Sequence, residues 1–201
     1  MFVRCICATL FLGALWLITG QHKTEKWGRR EVGQTLLCGI FLVFNWVFLF
    51  KAFEVTSITV AITIYNLSPI FVLLLGTLFL KERMTWKSLI AVLVCFLGSV
   101  LIVGINTNQS FSEFMGSGFL WALLAALCYA MTMLLGKGVN QLSAYAMTFL
   151  QTSVGIVILL PFLQFHVFEG LTTEHWVYIL GTGLIHTGFV YYLFFDSLRK
   201  L

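Results

Sequence analysis

Two asparagines and a proline lie inside long apolar runs, and they are the residues best placed to do chemistry. Asn45 lies in one run, and Asn66 lies three residues before Pro69 in the next. Proline has no N–H group and clashes with the carbonyl four residues earlier, so a helix through Pro69 should be weakened near Tyr65. Amides and freed backbone groups can hold a polar solute by hydrogen bonds without needing a charge. The predicted chemistry is therefore binding.

The candidate substrate-binding set contains polar and aromatic residues from three apolar runs. Its members are Asn45, Trp46, Tyr65, Asn66, Ser68, Pro69, His186 and Tyr191. His186 is included because a titratable group inside a membrane segment is a functional hypothesis, and an imidazole titrates near neutral pH. A structural role is the alternative for each residue type. Amides bond across helices, membrane prolines make shielded kinks, and a buried histidine can remain neutral.

The elements that carry these residues must be membrane helices. Hydrophobic residues make up 60% of the 201 residues and charged residues 10%, against roughly a quarter charged in soluble domains. A bilayer crossing needs about 17–25 apolar residues, and its backbone must be satisfied within the segment. Seven runs qualify: 2–19, 35–53, 56–80, 86–104, 118–136, 143–165 and 176–195. The predicted fold class is all-α, a polytopic membrane helix bundle of about seven transmembrane helices.

Basic residues are concentrated in alternate loops. Ten of the twelve Lys and Arg lie in loop 20–34, turn 81–87, the connection after the fifth run and the C-terminal end. The positive-inside rule places these loops in the cytoplasm. We therefore predict a multi-pass protein of a bacterial inner (plasma) membrane, in contact with the lipid bilayer and with no nucleic-acid partner. A cleaved signal peptide at 1–20 is the alternative for the first run, but it would put those ten residues outside.

Two short patterns predict local packing. Gly118, Ala122, Ala126 and Ala130 recur every four residues, and such a small-residue stripe lets another helix approach closely. Lys51 and Glu54 lie at the end of the second run, where we expect them to pair at a tight turn.

An internal repeat is visible at a shift of about 145 residues. Residues 44–52 align with residues 189–197, with aromatic residues at matching positions. Residues 2–4 align with residues 149–151. Repeat units this far apart contain five spans, and an odd number inverts the second copy. Inverted repeats around a central site are typical of transporters.

The stretch from Ser68 to Val103 resembles the EamA-type carriers of the drug/metabolite transporter superfamily. Its marks are Pro69 in mid-membrane, the turn Lys81-Glu82-Arg83 and Gly98 in the following run. The resemblance implies a permease that moves a small metabolite or drug-like solute by alternating access. It also implies ten helices in two inverted halves, of which this chain matches spans two to eight.

By that template the chain is an incomplete copy of the fold. Residues 1–104 are expected to form a first repeat without its first helix, and residues 116–201 a second repeat without its last two. Such a chain is either inactive by itself or assembles with a partner, for instance as a homodimer.

Two other classes of protein are alternatives to a carrier. A seven-helix receptor or sensor agrees with the helix count but leaves the repeat unexplained. An intramembrane enzyme would need a catalytic set, and the sequence offers no paired carboxylates, no Ser–His–Asp set and no phosphate-binding glycine loop. We therefore predict no catalytic residues, no cofactor and no metal ligands.

Overall fold

The computed structural model describes residues 1–23, 25, 27–79, 85–104, 117–163 and 170–200, and no strand occurs among them. The α-helices are α1 (Phe2–Ile18), α2 (Arg29–Val55), α3 (Ile58–Tyr65), α4 (Ser68–Phe79), α5 (Trp86–Gly104), α6 (Ser117–Lys137), α7 (Ala144–Leu159), α8 (Thr173–Gly181) and α9 (Val190–Lys200). Short 3-10 turns follow α1 and α7, and a π-helix (Thr182–Phe189) joins α8 to α9. The Lys81-Glu82-Arg83 turn lies outside the described residues.

The distribution of side chains is that of a protein surrounded by lipid. Large apolar side chains such as Ile18, Leu78 and Val157 are exposed, whereas Thr35, Asn45 and Gln151 are buried. Within the described residues, five helical stretches are long and apolar enough to cross a membrane, namely Arg29–Val55, Ile58–Phe79, Gly118–Lys137, Ala144–Phe162 and Thr173–Ser197. The first and fourth predicted runs form the shorter apolar helices Phe2–Ile18 and Trp86–Gly98. Each of the seven predicted runs thus contains a helix, and the all-helical membrane fold is confirmed.

The start of the second helix differs from the prediction. Helix α2 begins at Arg29, so its first two arginines belong to the helix and not to the preceding loop. Glu31 in the first turn accepts hydrogen bonds from the backbone N–H groups of Asn140 at 3.1 Å and Gln141 at 3.0 Å. A carboxylate near a helix N-terminus is also favoured by the helix dipole. The additional helical turns at the start of α2 are therefore stabilised by a tertiary contact, which a hydropathy pattern cannot reveal.

Packing divides the chain into two compact units. We call Met1–Val43 with Leu135–Leu201 the terminal unit, and Phe44–Leu134 the central unit. In the terminal unit α1 packs against α7 and against the π-helix, and α7 also contacts α9. In the central unit α3 packs against α5. These units are defined by packing and do not test the repeat boundaries, so the division into 1–104 and 116–201 remains a prediction.

Both local packing predictions are confirmed in the central unit. The small-residue stripe on α6 is buried at each of its four members, Gly118, Ala122, Ala126 and Ala130. A Cβ atom on Gly118 would lie 2.6 Å from the Cβ of Thr56, so only glycine permits this approach. The Nζ atom of Lys51 lies 2.7 Å from Oε2 of Glu54. Both side chains of that pair are exposed, so the pair contributes little to stability.

The crossing of α2 and α7 in the terminal unit supports a stability prediction. A Cβ on Gly39 would lie 3.0 Å from the Cα of Gln151, whereas Gly33, also on α2, has open space around it. Alanine brings the same gain in helix propensity at both positions. The difference in unfolding free energy between the two variants therefore reports the contact of Gly39 with Gln151. We expect Gly39→Ala to lower the free energy of unfolding by about 1–3 kcal/mol relative to Gly33→Ala. Equal thermal stability of the two purified variants would contradict this crossing.

Candidate functional site

The amide of Asn45 links three helices of the central unit. Its side chain is 1% exposed. The Nδ2 atom donates to the carbonyl of Ala125 on α6 at 2.8 Å and to the hydroxyl of Tyr65 at the end of α3 at 3.2 Å. Polar groups in a membrane interior must find such partners, because lipid offers none. Each interhelical bond of this kind contributes roughly 0.6–2 kcal/mol.

Two tyrosine rings pack together beside this polar contact. The ring of Tyr65 lies 5.6 Å from that of Tyr129 on α6, at an angle of 57°. Trp46, the neighbour of Asn45 on α2, is 8% exposed. Tyrosine and tryptophan each combine a large apolar body with one polar group.

The predicted break in the third run is confirmed. Helix α3 ends at Tyr65 and α4 begins at Ser68, with a turn at Asn66 and Leu67. The N–H of Leu67 bonds to the carbonyl of Ile64 at 3.0 Å, which tightens the end of α3. Pro69 lies in the first turn of α4, where a missing N–H group costs nothing. The membrane-length stretch is therefore two short helices joined by a two-residue turn.

The structure places the predicted site residues in different environments. Asn45 and Tyr65 are brought into contact, and Ser68 is buried, whereas Asn66 and Pro69 are exposed. His186 and Tyr191 belong to the terminal unit. His186 is exposed on the π-helix, and the ring of Tyr191 lies 6.2 Å from that of Phe195. The binding role of all eight residues remains a prediction.

The π-helix departs from the continuous α-helix that the last apolar run predicts. Within it the hydroxyl of Thr187 donates to the carbonyl of Thr182 at 3.3 Å. A Cβ on Gly183 would lie 2.8 Å from the Cβ of Cys7, and one on Gly188 would lie 2.9 Å from the ring of Phe11. The two glycines therefore let α1 lie directly against this segment. Irregular turns of this type occur frequently at functional sites.

A cavity of about 410 Å³ lies in the terminal unit. Residues at the start of α1, at the end of α7 and on α8 contribute to its wall, including Arg4, Leu159, Phe162, Leu163, Ile179 and Thr182. The Nε atom of Arg4 donates to the hydroxyl of Thr187 at 3.1 Å. Arg4 was not among the predicted site residues. Its position inside an apolar run could have indicated a functional role. Ionisable residues inside a membrane carry a free-energy cost and usually mark functional sites.

A second polar contact of the terminal unit was also missed. The carboxylate of Glu25 accepts a hydrogen bond from Nε1 of Trp16 at 2.8 Å and another from the hydroxyl of Ser143. Ser143 is the N-cap of α7 and accepts from the N–H of Ala146. Glu25 thus joins the end of α1 to the start of α7. Only the N-cap position of Ser143 could have been read from the sequence.

Comparison with known proteins finds similarity to membrane transporters. Residues 1–104 and 116–201 match the EamA-like transporter family. An uncharacterized transporter of Bacillus subtilis, YxxF, is 58% identical over 201 residues, which is all of this chain and 65% of that protein. The pseudopaline exporter CntI of Pseudomonas aeruginosa is 27% identical over 189 residues, covering 92% of this chain and 63% of CntI.

Two further similarities are more distant. An S-adenosylmethionine uptake transporter of Rickettsia bellii is 28% identical over 127 residues, covering 63% of this chain and 42% of that protein. One crystal structure superposes with a TM-score of 0.59 at 14% identity, covering 99% of this chain and 79% of the other, which shows a likeness of fold alone. The chain therefore spans about two thirds or less of the length of these curated relatives.

Proposed function

Because this chain belongs to the EamA-like transporter family, we propose that it moves a small metabolite or drug-like solute across the membrane by alternating access. The observation that carries the proposal is the buried amide of Asn45, which joins three helices beside a break in a membrane-length helix. The relatives described above are named transporters, so the receptor alternative gains no support. The substrate and the direction of transport are left to experiment.

Solute binding at Asn45 can be coupled to helix movement. A polar solute that accepts a hydrogen bond from Nδ2 would replace its bond to Tyr65 or Ala125. This exchange costs little, because each interhelical bond contributes roughly 0.6–2 kcal/mol. The N–H group of Leu67 bonds to Ile64 and not to the carbonyl four residues earlier, so a change in the direction of α4 relative to α3 at this turn would disturb few backbone bonds. Binding and reorientation would then take place at neighbouring residues.

Contacts inside the terminal unit support an inverted repeat. A Cβ on Gly39 would meet Gln151 and Val154, and a Cβ on Gly183 would meet Arg4 and Cys7. In both cases a glycine packs against two positions three residues apart on the neighbouring helix. In the alignment of the two repeats, Arg4 is matched with Gln151. A carrier built from two related halves is expected to show such paired contacts.

We place the protein in a bacterial cell membrane with its basic loops in the cytoplasm. This rests on the positive-inside rule and on the bacterial relatives. Whether one chain suffices or two chains assemble as a homodimer is part of the same proposal, and light scattering of the purified protein will decide it.

Reconstitution tests the proposal directly. The purified chain is placed in liposomes, which are incubated with a mixture of small polar metabolites and then washed and analysed by mass spectrometry. We expect at least one solute to enter faster than into protein-free liposomes of the same lipid. A parallel series with preloaded liposomes tests export. If no solute moves faster than through protein-free membranes in either direction, transport by this chain is ruled out.

A further inference from the structure

We propose that the crossing of α2 and α7 in the terminal unit opens to bind an uncharged solute that donates hydrogen bonds, with Gln151 and Thr35 as its contacts. The inference rests on the transport function proposed above, and it names a class of molecule for that function. The residues of this crossing belong to the terminal unit, whereas Asn45 belongs to the central unit. The two proposals can therefore be tested separately.

Helices α2 and α7 run side by side in the same direction. Near their starts, Glu31 on α2 accepts a hydrogen bond from the backbone N–H of Asn140, just before α7. Further along both helices, a Cβ on Gly39 would lie 3.0 Å from the Cα of Gln151. Thr35 lies midway between Glu31 and Gly39, one helical turn from each. It therefore lies on the face of α2 that meets α7.

Two polar atoms at this crossing are buried without a hydrogen-bond partner in the protein. They are Oε1 of Gln151, a residue that is 1% exposed, and Oγ1 of Thr35, a residue that is fully buried. Gln151 projects towards α2, because its Nε2 atom donates to Sγ of Cys38 at 3.2 Å. Sulfur is a weak acceptor, so neither end of the amide is well satisfied. Buried polar groups nearly always have partners, and such exceptions often mark functional positions.

The side of α7 that faces α1 has no such defect at the corresponding depth. There the hydroxyl of Thr9 donates to that of Thr152 at 2.8 Å, and Cys5 packs against Gly155, where a Cβ would lie 3.0 Å from its Sγ. Separating α1 from α7 would break the bond between the two threonines. Separating α2 from α7 beside Gln151 would instead expose two polar atoms that have no bond to lose and can gain one. A polar solute therefore gains most on the α2 side.

The chemistry of the two contacts decides the class of solute. An amide oxygen accepts hydrogen bonds and cannot donate them, and a threonine hydroxyl does both. A solute with N–H or O–H groups therefore suits the pair. Neither α7 nor residues 35–43 of α2 contain Asp, Glu, Lys, Arg or His. A charged solute would find no compensating charge on these segments inside the membrane, so the geometry favours uncharged amides and alcohols.

Cys38 and Cys5 provide a matched pair of reporters for the opening of this crossing. Both are fully buried, but Cys38 contacts Gln151 on the α2 side and Cys5 lies on the α1 side. The chain in phosphatidylcholine nanodiscs is treated with N-ethylmaleimide, and mass spectrometry follows the two thiols. We expect Cys38 to be alkylated at least about tenfold faster than Cys5, because local opening is easier where polar groups lack partners. Equal alkylation rates would overturn the proposal.

Benzamide is the probe, because it has two N–H donors, no charge and a small apolar body. We expect benzamide to slow the alkylation of Cys38 about fivefold at about four times its dissociation constant and to leave Cys5 unchanged. N,N-dimethylbenzamide keeps the ring and the carbonyl but has no N–H group, so it should give no protection. Benzamidine carries N–H donors and a positive charge, and it should protect less than benzamide because neither helix segment supplies an opposite charge.

Variants test the two contacts, with protection measured as the ratio of rates without and with benzamide in each variant. Gln151→Leu removes the acceptor and should weaken benzamide binding by about tenfold. Thr35→Val should weaken it less, and it should fold at least as well as the wild type because the hydroxyl that it removes has no partner. It therefore decides the matter if Gln151→Leu fails to fold. Thr152→Val removes an equally buried hydroxyl that already bonds to Thr9, and this matched control should be protected like the wild type.

Equal protection of the wild type, Gln151→Leu and Thr35→Val would refute this binding site. Fast alkylation of Cys38 without protection by benzamide would also refute it, and water alone would then meet the two polar atoms. Equal protection by benzamidine and benzamide would contradict the preference for uncharged solutes. The assay measures opening and binding, so its failure leaves the transport proposal and the Asn45 contact standing. Conversely, a chain that binds benzamide but moves no solute would refute transport and keep this site.

Discussion

Replacing Asn45 by leucine is expected to reduce solute uptake by at least about tenfold. Leucine has a similar volume, but it removes the hydrogen bonds to Ala125 and Tyr65. If the solute binds through the same amide, both the bound state and the helix arrangement lose stabilisation. A loss of about 1.4 kcal/mol in the rate-limiting step already gives a tenfold slower rate, and bonds of this kind contribute roughly 0.6–2 kcal/mol each. Initial uptake rates in liposomes provide the measurement.

Tyrosine variants separate transport from general stability in this experiment. Tyr65→Phe removes only the hydroxyl that Asn45 contacts, so its effect on uptake should be smaller than that of Asn45→Leu. The double variant should be no worse than Asn45→Leu alone, because the two groups act through one contact. Tyr178→Phe removes an exposed hydroxyl on α8 and is the control. Wild-type uptake by Asn45→Leu at equal protein content would exclude this amide from the site.

Pro69→Ala is expected to produce the second large effect, a loss of uptake of about tenfold or more in a protein that still reaches the membrane. Alanine restores an N–H group at the start of α4 and permits the ladder to run through Asn66 and Leu67. A continuous helix would fix α3 and α4 in one direction and remove the hinge on which the proposed alternating access would depend. Uptake per inserted protein molecule is the quantity to measure.

The chain provides a matched control for this variant. Pro161, the other proline in the sequence, lies in the 3-10 turn after α7, and Pro161→Ala should leave uptake within about twofold. Asn66→Ala tests the turn itself and should also lower uptake, because Asn66 is the first residue of the break. Unchanged uptake in both Pro69→Ala and Asn66→Ala would remove the helix break from the mechanism.

Local sequence determined the broken helix and the small-residue stripe. Proline cannot donate a backbone hydrogen bond whatever surrounds it, so the interruption before Ser68 could be predicted from one residue. Gly118 and the alanines that follow it on α6 could be recognised by their spacing, because a helix repeats its faces every three to four residues. The membrane class followed from composition for a similar reason, since lipid requires long apolar segments irrespective of their partners.

The candidate site could be predicted only in part. Asn45 and Tyr65 were each selected as polar or aromatic residues in apolar runs, yet their contact with each other and with the Ala125 carbonyl depends on how α2, α3 and α6 pack. The start of α2 at Arg29 was missed for a related reason. Glu31 is tied to the backbone at Asn140 and Gln141, which lie far away in the sequence.

Composition, motifs and backbone chemistry are local properties, so the membrane-helix class, the family resemblance and the break at Pro69 could all be predicted without a structure. Tertiary structure alone decided that Arg4 lies against Thr187 and lines a cavity. That contact joins the start of α1 to a π-helix near the other end of the chain. It exists only because Gly183 lets the two segments approach, and no local pattern specifies which distant helix meets an arginine.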